Sequence, residues 1–489
     1  MPCRRPARGP LTGPRSRPPC RWSRPSGTEP GGAPVPARPS VRSPARYYAL
    51  KALYRIETRA AYADYVLQAL RREAELSPRD QDLLTTLVDG VTIWRKTLDW
   101  VLARYVRGGL ERLDPWVRNA LRMGLYQLMF LDRIPRWAAV HETVEVARAV
   151  AGEGAAALVN AVLRRISARL EQGRPVATFP PIEIDPVAHL AIRYSFPEWM
   201  VRRWITRYGV DGARELCRFH NTPRPLSLRV NRLRATREEI LADLEARGLR
   251  ARPGAYHPYI VQVEGGLDLA AWPAYQEGKV IAQDEAAALV PYLMDLRPGL
   301  RVLDLCAAPG GKTTAIAEGM GDRGIIVAAD AHFGRLRRLR EHALRMGFTI
   351  IRVIQADGQR PFLPEWADRI LIDAPCLGTG VLARRSDARW HKQESDLIGL
   401  TRIQRGLLEA AARMLRPGGR LVYSTCSLEP EENEEQIHAF LRDHPEFRFV
   451  SAQGKVPSPF VDAEGFYRVL PHIHHMDGAF GAILEKAGG

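Results

Sequence analysis

From Ala45 to about Leu170 apolar residues recur three and four apart, through YYALKALYRIETRAAYADYVLQAL, PRDQDLLTTLVDGVTIWRKTLDWVLARYV and PWVRNALRMGLYQLMFL. That period lines one face of successive amphipathic helices and predicts an all-α domain of about six to eight of them. Ser77-Pro78 and Asp114-Pro115 each place a capping side chain before a first-turn proline, and Ile134-Pro135 breaks the chain before AAVHETVEVARAV. LVNAVLRRI, 158–166, reads as the last helix, with a basic end at Arg164 and Arg165. Prolines and polar residues then interrupt every period over 171–186, which reads as a linker. The next stretch is mixed. PEWMVRRWITRYG and GARELCRFHN are helical, LSLRVNRL alternates as a strand, and TREEILADLEARG opens like a capped helix.

From Leu300 the pattern changes again. Apolar runs (LRVLDLC, GIIVAAD, IIRVIQAD, RILIDAP, GRLVYSTC) alternate with helical stretches, one of them near 395–415. Strands separated by helices predict a parallel, doubly wound, Rossmann-like sheet, whose ligand crevice lies beyond the carboxyl ends of its strands. The expected division is therefore a tail at 1–45, a helical domain at 46–175, a small α+β module at 176–285 and a catalytic α/β domain at 286–489.

Composition changes this picture at one end. Of 489 residues, 71 are basic and 55 acidic, a net charge of +16 that suits a polyanionic partner. Residues 1–46 hold ten arginines, one acid and twelve of the 37 prolines, so more than half of the excess sits in a tail that reads as disordered. No apolar segment follows its early arginines as a secretory signal requires, and no run of eighteen uncharged apolar residues occurs; the reading is a cytoplasmic protein without a membrane span. Six cysteines without a Cys-x-x-Cys pair make neither a disulfide framework nor a zinc knuckle, and His472, His474 and His475 lack an acid or cysteine at ligand spacing; no metal is expected.

The chemistry gathers at the strand ends. The first strand runs into DLCAAPGGKTT, 304–314, whose glycines let backbone amides approach a ligand. Cys306 stands where a P-loop needs its first glycine, and the dinucleotide G-x-G-x-x-G spacing is absent, which disfavours both nucleotide motifs. The second strand ends at Asp330, where an acid commonly holds ribose hydroxyls, and the third at Asp357, placed for an adenine edge. Each aspartate alone is equally a loop cap; three in register are the stronger signal. The fourth and fifth strands end in DAPCLGTG and YSTCS, which set Cys376 and Cys426 on neighbouring tips. One such cysteine is most simply a small buried residue, but the pair, flanked by Pro375, Gly378 and Gly380, points to thiolate chemistry beside the cofactor.

DLCAAPGGKT, DAPCLGTG and YSTCSLEPEEN, in that order, resemble the motifs of the RNA 5-methylcytosine methyltransferases, and the helical domain resembles the NusB-type RNA-binding domain. PLSLRVNRL, VIAQDEAAALV and the late DGAF are further family-like stretches. The resemblance covers about 46–489 and implies a methyl donor, S-adenosylmethionine, and small-subunit ribosomal RNA as substrate, with tRNA as the rival of the same chemistry. It implies that Cys306, Ala307, Ala308, Pro309, Gly310, Gly311 and Lys312 line the methionine and ribose side of the cofactor, Asp330 the ribose and Asp357 the adenine. Asp373 would border cofactor and target base, Cys426 would be the nucleophile, and Cys376 would assist release. Leu377, Ala331-His332 and Ala479 depart from the family pattern without removing a chemical group.

Cytosine C5 needs this equipment because it is a poor nucleophile until a thiolate adds at C6. Asp373, protonated or sharing a proton, would meet the charge that develops at N3, and Lys312 would lower the thiol pKa or orient the base, although a phosphate or carboxylate contact fits it as well. Trp199, Arg202, Arg203, Trp204 and Arg207 offer stacking and phosphate contacts to RNA, but a helix with buried tryptophans and solvated arginines has the same spacing, and Arg164, Arg165 and the run Arg335, Arg337, Arg338 and Arg340 read most simply as solvated basic faces. A non-catalytic RNA-binding assembly factor would not need the cysteine pair, and a small-molecule methyltransferase would not need the accessory domains. The chain reads as a monomeric enzyme.

Overall fold

The computed structural model describes residues 43–59 and 61–488; the expectation of a disordered tail therefore falls almost wholly outside the described residues. The N-terminal part is helical: α1 (Pro44–Arg59), α2 (Ala63–Glu73), α3 (Pro78–Leu102), α4 (Pro115–Phe130) and α5 (Arg136–Glu171). Their predicted starts follow from the capping chemistry. Ser77 Oγ accepts from the Asp80 amide at 3.2 Å and Asp114 Oδ1 from the Trp116 amide at 2.8 Å, each before a proline that has no amide to leave unpaired. Leu84, Leu87, Val88, Val91, Leu98 and Val101 of α3 form the buried stripe against which α1 and α4 pack, and α5 packs on α4. Gly124 permits a close approach of α5 to α4, since a Cβ there would lie 2.3 Å from Leu163 Cδ1. Arg122 of α4 is buried and pairs with Asp99 of α3 at 2.6 Å and Glu57 of α1 at 3.0 Å. Helix α5 is long and apolar enough to cross a membrane by length and composition, but it is broken at Gly152 (φ 84°), and Ala139, Val140, Val144, Val159, Val162, Leu163 and Ile166 face this core.

Helices α6 (Pro186–Arg193) and α7 (Glu198–Asn221) follow the predicted linker and lead into a four-stranded antiparallel sheet. Its strands β1 (Leu226–Val230), β2 (Arg250–Pro253), β3 (Ile260–Glu264) and β4 (Val280–Ala282) lie in the order β2-β3-β1-β4. Helix α8 (Arg237–Ala246) covers it, begun by a complete capping box between Thr236 and Glu239, and α9 (Pro273–Gln276) precedes β4.

The C-terminal α/β domain begins with α10 (Glu285–Leu289) and alternates β5 (Arg301–Leu305), α11 (Gly311–Gly319), β6 (Ile325–Asp330), α12 (Phe333–Met346), β7 (Ile351–Gln355) and β8 (Ala367–Asp373). It continues through α13 (Ala388–His391), α14 (Asp396–Met414), β9 (Leu415–Thr425), α15 (Glu434–Asp443), β10 (Phe447–Val450), β11 (Tyr467–Val469), α16 (Pro471–His474) and β12 (Ala479–Lys486). The sheet runs β10-β12-β9-β8-β5-β6-β7, with β5 to β9 parallel as expected. What the parallel prediction lacks is the other edge: β12 runs antiparallel to β9 and β10, and β11 pairs with β12. Strand order reverses at β5, which is flanked by β6 and β8, so the crevice of this sheet opens beyond Leu305.

Candidate active site

The loop after β5 is built by its conformation and its buried hydroxyls. Cys306 takes φ 63° and Gly310 φ 104°, the left-handed region that glycine enters without cost, and the chain turns from strand into α11 there. Thr313 Oγ1 donates to Asp304 Oδ2 at 2.6 Å beneath the loop. Burial pushes the Asp304 carboxyl up to about 7, against the Thr313 hydrogen bond. Its other oxygen, Oδ1, is buried without a partner among the described residues. Burial likewise pushes the Cys306 thiol up to about 12. Asp330, at the end of β6, is oriented by two amides: Ala308 N–H at 3.3 Å and His332 N–H at 2.9 Å. Arg335 donates to Ala308 O at 2.6 Å and fixes the loop from outside. Asp357 lies two residues beyond β7, half-exposed, accepting from the Gln359 amide at 3.1 Å and 3.6 Å from Arg360.

Four of the expected site residues meet at the tips of β8 and β9. Cys376 Sγ and Cys426 Sγ are 3.4 Å apart, and Lys312 Nζ is 2.8 Å from Asp373 Oδ1. The hydrogen bond from Cys376 holds the Cys426 thiol below its ordinary range against burial and the Asp373 charge, with Lys312 and Arg385 helping. The Cys376 thiol is pushed well up by the same hydrogen bond, by burial and by the Cys426 and Glu432 charges. The pair is thus asymmetric, with Cys426 the sulfur more readily ionised and Cys376 the one that holds its proton harder. Burial depresses the Lys312 ammonium, but Asp373, Cys426 and Asp304 together outweigh it and hold the proton on.

The loops that carry these sulfurs are fixed by residues to which sequence reading gave no role. Glu432 accepts from the Leu377 amide at 3.0 Å and from Gln404 Nε2 at 2.9 Å, and Gln404 also donates to Pro375 O. Asn433 donates to Ser427 O at 2.9 Å and accepts from Thr425 Oγ1, clamping the turn after Cys426. Gly380 donates to Cys426 O and accepts from the Gly478 amide; a Cβ on it would lie 2.7 Å from Gly478 Cα. Glu432 and Asn433 sit inside EPEEN, and Gly478 inside DGAF, so their signal lay in motifs quoted for resemblance alone. Arg229 of β1 is the other omission: buried, it donates to Gly311 O and Thr314 Oγ1 at 2.8 Å each and pairs with Glu318 at 2.8 Å.

The basic helix α7 does not present the surface that its spacing offers to RNA. Trp204 is buried, Arg203 pairs with Glu429 at 2.5 Å and Glu431 at 2.6 Å, and Arg207 with Glu434 at 2.6 Å. These arginines dock α7 on the EPEEN segment, because carboxylates of the catalytic domain face them; Arg202 remains exposed. Among the described residues no group of three or more His, Cys, Asp or Glu is arranged to hold a metal ion. His474 Nδ1 accepts from the Leu470 amide, and the His472 ring lies 5.0 Å from that of Tyr208.

A Rossmann-like sheet with a turn of backbone amides at its switch point, acids at the neighbouring tips and a buried orphan carboxylate oxygen beside them suits S-adenosylmethionine: a diol, a base and a sulfonium cation to receive. This is the architecture of an S-adenosylmethionine-dependent methyltransferase.

Comparison with known proteins agrees. Residues 291–485 match the family model of the 16S rRNA methyltransferase RsmB/F, 43–168 that of the NusB family, and 196–270 the ferredoxin-like domain of RsmF/B-like methyltransferases. The probable ribosomal RNA small subunit methyltransferase B of Bacillus subtilis is 38% identical over 450 residues, covering 91% of this chain and 99% of the relative. Its counterpart in Synechocystis is 36% identical over 452 residues, with 91% and 99% covered. The crystal structure of PH0851 superposes with a TM-score of 0.77 at 30% identity, covering 93% of this chain and all of that one. The chain belongs to the 16S rRNA methyltransferase RsmB/F family. Its activity is methylation of ribosomal RNA, and S-adenosylmethionine is the methyl donor.

Proposed function

We propose that the enzyme methylates C5 of an unpaired cytidine in small-subunit rRNA, with Cys426 as a covalent nucleophile. The observation that carries this reading is the 3.4 Å pair of Cys376 and Cys426 at the tips of adjacent strands, beside the Lys312–Asp373 ion pair. Attack by the Cys426 thiolate forms an Sγ–C6 bond and drives the C5–C6 π pair towards N3. As that charge builds, Asp373 would take the Lys312 proton at Oδ1, 2.8 Å away, and so gain a hydrogen bond to offer at N3. The cofactor, when bound, supplies a methyl group on a sulfonium whose sulfur leaves with the bonding pair. C5, now an enamine carbon, takes the methyl; loss of the C5 proton to a base then restores the C5–C6 double bond as the Sγ–C6 bond breaks. Cys376, kept protonated, is the group positioned to assist that release.

Asp330, oriented by two amides, would hold the ribose hydroxyls, Asp357 the adenine, and Cys306 to Lys312 the methionine and ribose. Attack on one face of C6 requires a base outside any helical stack, so the target is an unpaired or flipped nucleotide.

The test is transfer of labelled methyl from S-adenosylmethionine to protein-free small-subunit rRNA, followed by nucleoside analysis. Wild type should yield 5-methylcytidine, Cys426→Ala none, and Cys376→Ala a denaturant-stable protein–RNA adduct. Normal methylation by Cys426→Ala would remove the nucleophile assignment; methylation of tRNA in place of rRNA would remove the substrate.

A further inference from the structure

The rings and guanidinium groups left over by the catalytic site fall into a line. Trp390 and His391, at the end of α13, lie against the N-terminal helices; the His391 ring is 4.9 Å from Tyr62, and Tyr62 is 6.5 Å from Tyr65. The Arg338 guanidinium stands 5.4 Å from the Tyr65 ring. One turn back along α12, Arg335 donates to Ala308 O in the cofactor loop. Tyr62 and Tyr65 are 45% and 55% exposed, and Phe333, which opens α12, is 72% exposed. Large rings left this wet are not serving a core.

Asp64, between the two tyrosines, is the acid nearest the line, and burial with the Asp387 charge makes its carboxyl harder to ionise. Asp387 accepts from the Ala63 amide at 2.7 Å, and Glu341 is 3.6 Å from Arg337, whereas Arg338 and Arg340 have no carboxylate partner among the described residues. At the far end Arg95, 5.5 Å from the Trp390 ring and likewise without an ion pair, borders a cavity of about 150 Å3 shared with Arg122, Asn119, Glu57 and Asp387.

We propose that this ladder of rings and guanidinium groups, crossing the seam between the N-terminal helices and the catalytic domain, is a binding track for an unpaired rRNA segment that neighbours the target nucleotide. Alternating stacking surface and positive charge is what single-stranded RNA requires, because every base has a π-face and every linkage a phosphate. A duplex keeps its base faces inside and would leave Tyr62 and Tyr65 without occupants. The track leads from the cofactor loop at Arg335, so bound RNA would reach the crevice where the proposed function puts the target base; the inference rests on that reading of the substrate.

The experiment uses the full chain with a Tyr62→Ala/Tyr65→Ala double variant, a Tyr62→Phe/Tyr65→Phe control and Arg338→Glu. Binding is read by anisotropy with a fluorescent single-stranded RNA and with a duplex of the same length, and methylation with protein-free small-subunit rRNA. The alanine pair should weaken single-strand affinity by about tenfold or more and raise KM for rRNA, leaving kcat at saturating RNA and affinity for S-adenosylmethionine unchanged. The phenylalanine pair should restore it, and Arg338→Glu should flatten the salt dependence of binding. Unchanged affinity, KM and salt slope in every variant of an enzyme whose wild type binds and methylates rRNA would overturn the track alone. Equal losses for duplex and single strand would overturn its single-strand character. A wild type that neither binds nor methylates rRNA would overturn the proposed function, and the track with it.

Discussion

Arg229 joins the four-stranded module to the cofactor loop from a fully buried position, and Arg229→Met isolates that link. The substitution keeps most of the volume but removes the donors to Gly311 O, Thr314 Oγ1 and Glu318 Oε1. It leaves the Glu318 carboxylate, side-chain exposure 5%, facing a thioether. Breaking one partner of a buried ion pair costs about 3–5 kcal/mol, most of it the stranded charge. The carboxyl of Glu318 is already raised, by burial first and against Arg229, so it would rise further in the variant. A carboxyl raised in the folded state binds its proton more tightly than in the unfolded chain. The stability loss in Arg229→Met should therefore be smaller below the new folded pKa and grow as pH rises through it. Hydrogen exchange of the α11 amides measures the local opening free energy, and calorimetry with S-adenosylmethionine measures whether the loop has lost its shape. The expected result is an opening free energy lower by about 3–5 kcal/mol at pH 8, less at pH 5, with weaker cofactor binding, and substantial recovery in Arg229→Met/Glu318→Gln. A loss below about 1 kcal/mol at pH 8, or no relief from the second substitution, would refute the role given to the pair.

Cys376→Ala removes the hydrogen bond that lowers the Cys426 thiol, so the rising limb of the pH–rate profile for adduct formation should move to higher pH, and Cys376→Ser, which keeps a donor, should move it less. Stopped-time trapping of the protein–RNA adduct across pH reads both. Glu432→Ala strands the buried Leu377 amide, at about 1–3 kcal/mol, and should lower kcat while leaving the KM for S-adenosylmethionine near its wild-type value; the kinetic split is the measurement. Gly380→Ala forces a Cβ to within 2.7 Å of the Gly478 backbone and should slow alkylation of Cys426 by moving its loop, as timed labelling with iodoacetamide would show.

What the sequence discloses depends on whether a residue's partner is near in the chain. Ser77, Asp114 and Thr236 act on amides two or three residues away, so their helices could be started correctly from sequence. Cys306, Asp330 and Cys426 end apolar runs, and a parallel sheet puts such ends on one edge whatever the details of packing. Strands β10, β11 and β12 were invisible because FRFV and YRV are short and pair only with β12, and β12 in turn finds its place against distant β9. Arg203 and Arg207 misled for the same reason: a helix with arginines at that spacing looks solvated until carboxylates more than two hundred positions later are found opposite it. Glu432 is the most instructive case. Its partners, Leu377 and Gln404, are 55 and 28 residues away, so only the folded chain tells that the acid in EPEEN holds the Cys376 loop.

The segment that follows the Cys376 loop explains why the N-terminal helices matter to a site they do not line. Arg384 is held by Asp284, Asp477 and Pro225 O, Asp387 by the Ala63 amide, Arg389 by Asn221 and Ser195 O, and Trp390 by Thr92 O at 2.7 Å. One stretch of chain, beginning four residues after Gly380, therefore contacts the helical domain, the four-stranded module and the terminal DGAF turn. The contact with the helical domain is acidic. Burial, with the charges of Asp64 and Asp387, raises the Asp89 carboxyl to about 7, and burial with Asp387 raises that of Asp64. Raised carboxyls favour the docked state while they are protonated, so docking should weaken as pH rises from about 4 through 7, by up to about 1.4 kcal/mol per pH unit for one group. Proteolysis of the 171–186 linker reports undocking, and its rate should rise between about pH 5 and pH 7 in wild type and level off above. In Asp89→Asn that rise should shrink; an unchanged pH dependence in the variant would mean that Asp89 does not govern the seam.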